Sequence, residues 1–417
     1  MHVPRTLADN EGNAHRVLIL LVLSLTRNEL LRTAREMRLL SICLPLLFSV
    51  SLTASQLPSD SWTSHGLEPS HRNEIRAAFD KGIQEHFIPG GSLMIIHKGE
   101  VILHEGFGVA DLETQRPFEA NAPCRIASLT KPHTTTTLAI LAGEGKLSFS
   151  DPVSKYLPQF KDMKVRGQEG RAKQITLAMC LSHTAGFASN NQLKSGEFSL
   201  DFNGSLAEVV EELASHELFY EPATAFGYGR LGYMTAARVA EIVTGKPFEE
   251  VMDEFLFKRV GSSQSTFDYE SVLDIIPTPY IRTKTGLQIR KGEPLGSVIN
   301  PGGSLVATPT DVARMYLLHR NRGKVEGQQV VPASILQQMY VSQPGRGKAK
   351  YGLGFNIIKQ RPDGGASRIQ HTGASGTIGI IDFDLDLILL VLTQVPQTQT
   401  NKWRGPLLKT IFNVFEN

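Results

Sequence analysis

Strand patterns sit at the two ends of this chain, with a long helical stretch between them. Ser92–Ile96 and Val101–Phe107 are apolar runs separated by Lys98-Gly99, which reads as a hairpin. Past Tyr351 the pattern returns in Gly352–Lys359, Ser367–His371, Gly376–Phe383 and Leu387–Thr393. From about Ala127 to Lys350 the chain reads mostly as helices and long loops. The helical stretches are Ala127–Glu144, Thr176–Leu181, Leu206–Leu213, Leu231–Val243, Phe248–Phe255 and Pro309–Arg320. An amphipathic helix over Ser70–Phe87 precedes the first strand, and a last helix covers Trp403–Phe415. The prediction is an α+β fold. Its antiparallel sheet comes from both chain ends, about 70–118 and 350–417, is flanked by helices, and has a mostly helical region, about 119–349, inserted into it.

Composition removes several alternatives. With 41% hydrophobic and 20% charged residues, the 417-residue chain is not disordered as its main state. Three cysteines do not make a disulfide scaffold. No apolar run approaches the roughly 20 residues of a membrane span, which argues against a polytopic membrane protein. A net charge of +2 gives no pull toward nucleic acid.

The N-terminus reads as an address. From Met37 one Arg is followed by an apolar stretch to Leu52 and then by small residues through Ser55, the layout of a secretory signal peptide. The expectation is a biological start at Met37, an extension and signal peptide over 1–55, and export to the periplasm or medium. A single domain over 56–417 follows. That remainder is formally neutral and keeps Cys124 and Cys180, read as two buried thiols in preference to the alternative of a single disulfide.

Several motifs fail on inspection. Gly227-Tyr228-Gly229-Arg230-Leu231-Gly232 matches a dinucleotide-binding pattern, but a proline-bearing loop precedes it instead of a strand. His216-Glu217 and His104-Glu105 lack the second histidine of a zinc helix. Gly373-Ala374-Ser375-Gly376-Thr377 misses the last glycine of a nucleophile elbow. No metal and no cofactor is expected.

Ser128-Leu129-Thr130-Lys131 is the one S-x-x-K in the chain. That spacing sets Ser and Lys on one helical face. The serine also lies at a helix start, where free N–H groups favour developing negative charge. A lysine acting as base at pH 7 must overcome roughly 4.6 kcal/mol, so the site has to be partly buried or hold a second cation. Tyr228-Gly229-Arg230 follows, and His371-Thr372-Gly373 enters a glycine-rich strand near the C-terminus.

In this order the three elements resemble those of the β-lactamase-related serine hydrolases, which include class C β-lactamases, DD-peptidases, D-amino-acid peptidases and esterases. Leu181-Ser182-His183-Thr184-Ala185-Gly186, Pro301-Gly302-Gly303-Ser304-Leu305 and Tyr351-Gly352-Leu353-Gly354-Phe355 are similar too. The resemblance covers about Ile83 to Val395 and implies a β-lactamase/transpeptidase-like fold. It implies Ser128 as the acylated nucleophile, Lys131 as its proton acceptor and Tyr228 as the shuttle to the leaving group. The backbone N–H groups of Ser128 and Ala374 would form the oxyanion hole. Arg230, His371, Thr372 and Gly373 would bind substrate.

Two departures matter. Many relatives carry Tyr-x-Asn where this chain has Arg230, and class C β-lactamases carry Lys-Thr-Gly where it has His371. Both lower the expectation of an efficient β-lactamase. The reading is an exported serine hydrolase acting on a small ester, amide or D-amino-acid peptide, with no stable protein partner. The alternative is a non-catalytic penicillin-binding sensor or scaffold. His183 and the Pro301 turn read as structural.

Overall fold

A computed structural model describes residues 56–291, 298–345 and 350–416. The extension and signal peptide read over 1–55 lie outside these residues. Helix α1 (Pro69–Gln84) starts where Pro69 fits the first turn and where Glu68 and His71 cap one another reciprocally. Strands β1 (Gly90–His97) and β2 (Glu100–Gly108) then form the expected hairpin. Lys98 and Gly99 both take positive φ, 55° and 90°, the turn whose twist matches that of the strands.

The chain next enters the short β3 (Cys124–Arg125), then α2 (Thr130–Gly143) and a helical body that includes α3 (Leu231–Thr244). Strand β4 (Val306–Ala307) pairs with β3 and leads through an N-cap at Thr308 into α4 (Pro309–Arg320). Later strands of the main sheet are β5 (Lys350–Tyr351), β6 (Asn356–Gln360), β7 (Ala366–Thr372), β8 (Ile378–Asp382) and β9 (Leu387–Leu392). Helix α5 (Gln397–Glu416) ends the described chain.

The seven-stranded sheet has the order β2-β1-β9-β8-β7-β6-β5, and every neighbour runs antiparallel. Its seam is β1 against β9, with Ser92 opposite Leu392 and His97 opposite Leu387. Both faces are buried, so β1 and β9 read as unbroken apolar runs rather than alternating ones. Leu93, Ile95, Leu389 and Val391 face a core shared with Phe79 of α1 and with Trp403 and Leu407 of α5. Met94, Ile96, Ile388 and Leu390 face a second core with Leu138 and Ile140 of α2 and Met315 of α4. Trp403 donates its indole N–H to the Ala78 carbonyl at 3.0 Å, and Gly82 leaves room for its ring.

The α+β architecture with a sheet from both ends is as expected; several boundaries differ. Ala127–Glu144 is a 3₁₀ turn over Ala127–Leu129 followed by α2, because Ala127 takes φ 48°. The strand expected over Gly352–Lys359 begins only at Asn356, since Gly354 turns the chain at φ 79°. Gly227–Gly232 follows no strand, and its last glycine lies inside α3. Cys124 and Cys180 are buried free thiols. Among the described residues no helix is long and apolar enough to cross a membrane.

Candidate active site

Three backbone devices set Ser128 in place. Ile126 donates its N–H to the Leu305 carbonyl at 3.0 Å, extending the β3–β4 pairing. Ala127 then reverses the chain with positive φ, unusual for a residue with a Cβ, and costs about 1–2 kcal/mol. Thr130 locks the reversal, donating its hydroxyl to the Ala127 carbonyl at 2.6 Å and accepting the Leu305 N–H at 3.3 Å.

One turn on, Lys131 is 2% exposed. Its Nζ donates to Ser128 Oγ at 3.3 Å and to the Gly302 carbonyl at 2.7 Å. The same nitrogen stands 4.8 Å from the Tyr228 ring centre and 5.2 Å from that of Tyr233, within cation–π range. The burial that sequence reasoning demanded of a basic lysine is present. Burial also pushes the Tyr233 phenol up, and its hydroxyl is spent on the Leu181 carbonyl at 2.9 Å.

The Gly302 carbonyl is a partner that the sequence did not reveal. Asn300 holds the turn: its Oδ1 accepts the Gly302 N–H at 3.0 Å, and its own carbonyl accepts the Gly303 N–H at 2.9 Å. The turn read as structural thus supplies an acceptor to Lys131. A Cβ at Gly302 would crowd Nζ at 3.1 Å.

Tyr228 lies in the loop before α3. His183, at φ 64°, holds that loop twice: its carbonyl accepts the Gly227 N–H at 2.9 Å and its Nδ1 accepts the Gly229 N–H at 3.3 Å. Its ring packs 4.4 Å from that of Tyr228. His183 therefore positions Tyr228.

The strand motif closes the site from the other side. Thr377 and Ser375 donate their hydroxyls to the carbonyls of Ile126 (2.9 Å) and Arg125 (2.6 Å), tying the end of β7 to the approach to Ser128. A Cβ at Gly373 would collide with the Ile126 carbonyl oxygen and the Thr377 hydroxyl, so only glycine fits that approach. Ala374, next in the chain, is exposed, and Thr372 is partly so. His371 is 2% exposed. Its Nδ1 bonds the Thr372 carbonyl at 2.9 Å and must carry the proton. In the neutral ring Nε2 then accepts from the Tyr351 hydroxyl at 3.2 Å. Arg230 caps α3 and lays its guanidinium 4.7 Å over the Phe202 ring. A separate cavity of about 980 Å³ lies away from Ser128, lined by His319, Tyr340, Arg361 and Asp386 among others.

Residues 75–406 match the family described as Beta-lactamase. Protein flp of Staphylococcus aureus (strain MW2) is 28% identical over 208 residues, 49% of this chain and 41% of that protein. Esterase EstB of Burkholderia gladioli is 25% identical over 264 residues, 58% of this chain and 66% of that protein. The matched stretch thus spans less than two thirds of either relative. In fold, the chain is similar to EstCE1, described as a hydrolase with promiscuous acyltransferase activity, with a TM-score of 0.71 at 20% identity, covering 82% of this chain and 98% of that one.

Proposed function

The chain belongs to the Beta-lactamase family, and from that membership we propose that it is an exported serine hydrolase that cleaves a small ester or amide through an acyl-Ser128 intermediate. The observation that carries this reading is the contact of buried Lys131 Nζ with Ser128 Oγ at 3.3 Å. Ser128 Oγ attacks the carbonyl carbon and its proton passes to Lys131. The oxyanion that forms is held by the N–H groups of Ser128 and Ala374. As it collapses, the leaving alkoxide or amine takes a proton relayed through Tyr228, and water then releases the acyl group by the same steps.

Esters are the first substrates to try, because the name of the EstB relative is that of an esterase. Arg230 and His371, in place of asparagine and lysine, favour an esterase or D-amino-acid peptidase over an efficient β-lactamase. The test is a panel of nitrophenyl esters, D-Ala-D-Ala peptides and penicillins, with fluorophosphonate labelling located by peptide mass spectrometry. One label on Ser128 and loss of turnover in Ser128→Ala are expected. A label on another serine, or unchanged turnover in Ser128→Ala, would falsify the reading.

A further inference from the structure

At the far end of the sheet from Ser128, three side chains converge on a point that the hydrolytic reading does not use. The row His97–Leu387–Asp382–Arg368 marks that end of the sheet, while Thr372 and Ile378 mark the end beside the candidate active site. Glu100 follows the hairpin turn and pairs with His97. The segment before α1 runs along the edge strand β2: Ser59 bridges Val101, and Asp60 donates its N–H to the Val101 carbonyl at 3.2 Å. Asp60 and His65 are thereby brought against Glu100.

His65 is the informative member. Its side chain is 4% exposed, and its Nε2 is buried with no hydrogen-bond partner. That nitrogen nonetheless stands 3.2 Å from Glu100 Oε2 and 3.8 Å from Asp60 Oδ2. A proton on Nε2 would therefore meet neither carboxylate with hydrogen-bond geometry. The other ring nitrogen, Nδ1, faces His97 Nδ1 at 3.1 Å. With the proton there and donated to His97, Nε2 keeps a bare lone pair beside the two carboxylates. The other oxygen of Asp60, Oδ1, accepts the Ser61 N–H at 2.6 Å.

We propose that Asp60, His65 and Glu100 bind a divalent first-row transition metal, with zinc as the reference ion. Their donor atoms all lie within 4.8 Å of one another. Two ligands about 2.0–2.2 Å from one zinc at a tetrahedral angle stand roughly 3.3–3.6 Å apart, which falls between the two His65 separations. One nitrogen and two carboxylate oxygens suit zinc, and water would complete the shell. His97 would play the part commonly taken by a second group behind a metal-bound histidine, fixing the ring and its tautomer. The site is structural: it clips the segment before α1 to the edge strand. Trp62 and His97 both touch the Phe415 ring near the end of α5, at 6.4 and 5.1 Å, so the clip also gathers the C-terminal helix.

The test uses the purified full-length chain stripped with chelator. Cobalt(II) is titrated with visible absorbance as the readout, and zinc is titrated by calorimetry. One equivalent per chain is expected, with a tetrahedral or five-coordinate cobalt spectrum and a rise in Tm of about 2 °C or more at saturating zinc. His65→Gln and Glu100→Gln should each lower the affinity at least tenfold. Glu100→Gln, whose carboxylate is half-exposed, keeps the measurement readable if His65→Gln does not fold. Ester hydrolysis by the Glu100→Gln chain should equal that of the unaltered chain. No cobalt spectrum and no zinc heat from the unaltered protein would overturn the proposal. So would full affinity in folded Glu100→Gln.

Discussion

Gly373 leaves no space between itself and the carbonyl oxygen of Ile126, so the end of β7 and the backbone entering Ser128 touch directly. That contact joins the backbone leading into Ser128 to the backbone leading into Ala374. Gly373→Ala forces these two segments apart. The expected result is a fall in kcat/KM for nitrophenyl esters of about 10²-fold, because small misplacements of reacting groups cost that much. The melting temperature should fall as well, as for other overpacked sites. Gly405→Ala is the control, since a Cβ there meets nothing within 4 Å. Equal rates in the two variants would show that the close approach has no part in the chemistry.

Under the proposed mechanism, variants of Tyr228 and His183 separate proton transfer from positioning. Tyr228→Phe keeps the ring against Lys131 and removes only the hydroxyl. It should retain the melting temperature and lose about 10²-fold or more in kcat/KM. His183→Ala removes the acceptor for the Gly229 N–H and the ring beside Tyr228. It should lower both stability and rate. Unchanged rates in a stable Tyr228→Phe protein would make Tyr228 a wall.

Arg230 offers donors and a permanent charge where an asparagine amide would offer both donor and acceptor. Its stacking on Phe202 fixes where that charge lies. Arg230→Asn should raise penicillin acylation relative to ester hydrolysis. A ratio that does not move, measured with both substrates on both proteins, would remove Arg230 from substrate choice.

Two buried histidines, His133 on the lysine helix α2 and His319 on α4, set an acid limit. Burial lowers His133 to about 4 and His319 to about 3. His133 spends its Nδ1–H on the Leu129 carbonyl at 2.9 Å, while His319 lies between Thr136 (2.8 Å) and the Tyr340 hydroxyl (2.6 Å). Unfolded histidine takes its proton near pH 6.5, whereas these folded rings do not. Below pH 6.5 the unfolded state therefore binds more protons, and stability falls as pH falls. The penalty is absent above that pH and stops growing once the folded values are reached. Each ring contributes at most about 1.4 kcal/mol per pH unit within that window. Urea unfolding from pH 7 to 4.5 should show a shallower slope in His319→Gln than in the unaltered protein. Parallel slopes would refute the assignment.

What could be read from the sequence follows from how local each signal is. Pro309–Arg320 has the same bounds in sequence and structure, because Thr308 and Pro309 announce its start within two residues. Ser128 and Lys131 share a turn, so their contact could be read from spacing alone. The Gly302 carbonyl could not, because a backbone oxygen leaves no mark in residue identity. Neither could the left-handed turn at Ala127, which tertiary contacts impose on a residue that does not prefer it. The Asp60–His65–Glu100 cluster was likewise hidden. Its members meet only because a non-repetitive segment runs beside β2, and pattern reading assigns such segments no position.

The seam between β1 and β9 orders events during synthesis. Ser92 leaves the ribosome well before Leu392 and must wait for it. Pairing at such long separation is slow, and until it occurs the apolar edge of β1 is open to other chains. Thr377, which binds the Ile126 carbonyl, also belongs to that late segment. A nascent chain can therefore complete the S-x-x-K helix without bringing Ala374 to it. Under the proposed mechanism, reactivity of the serine is withheld until that later segment has been made and paired, so strand pairing itself arms the site.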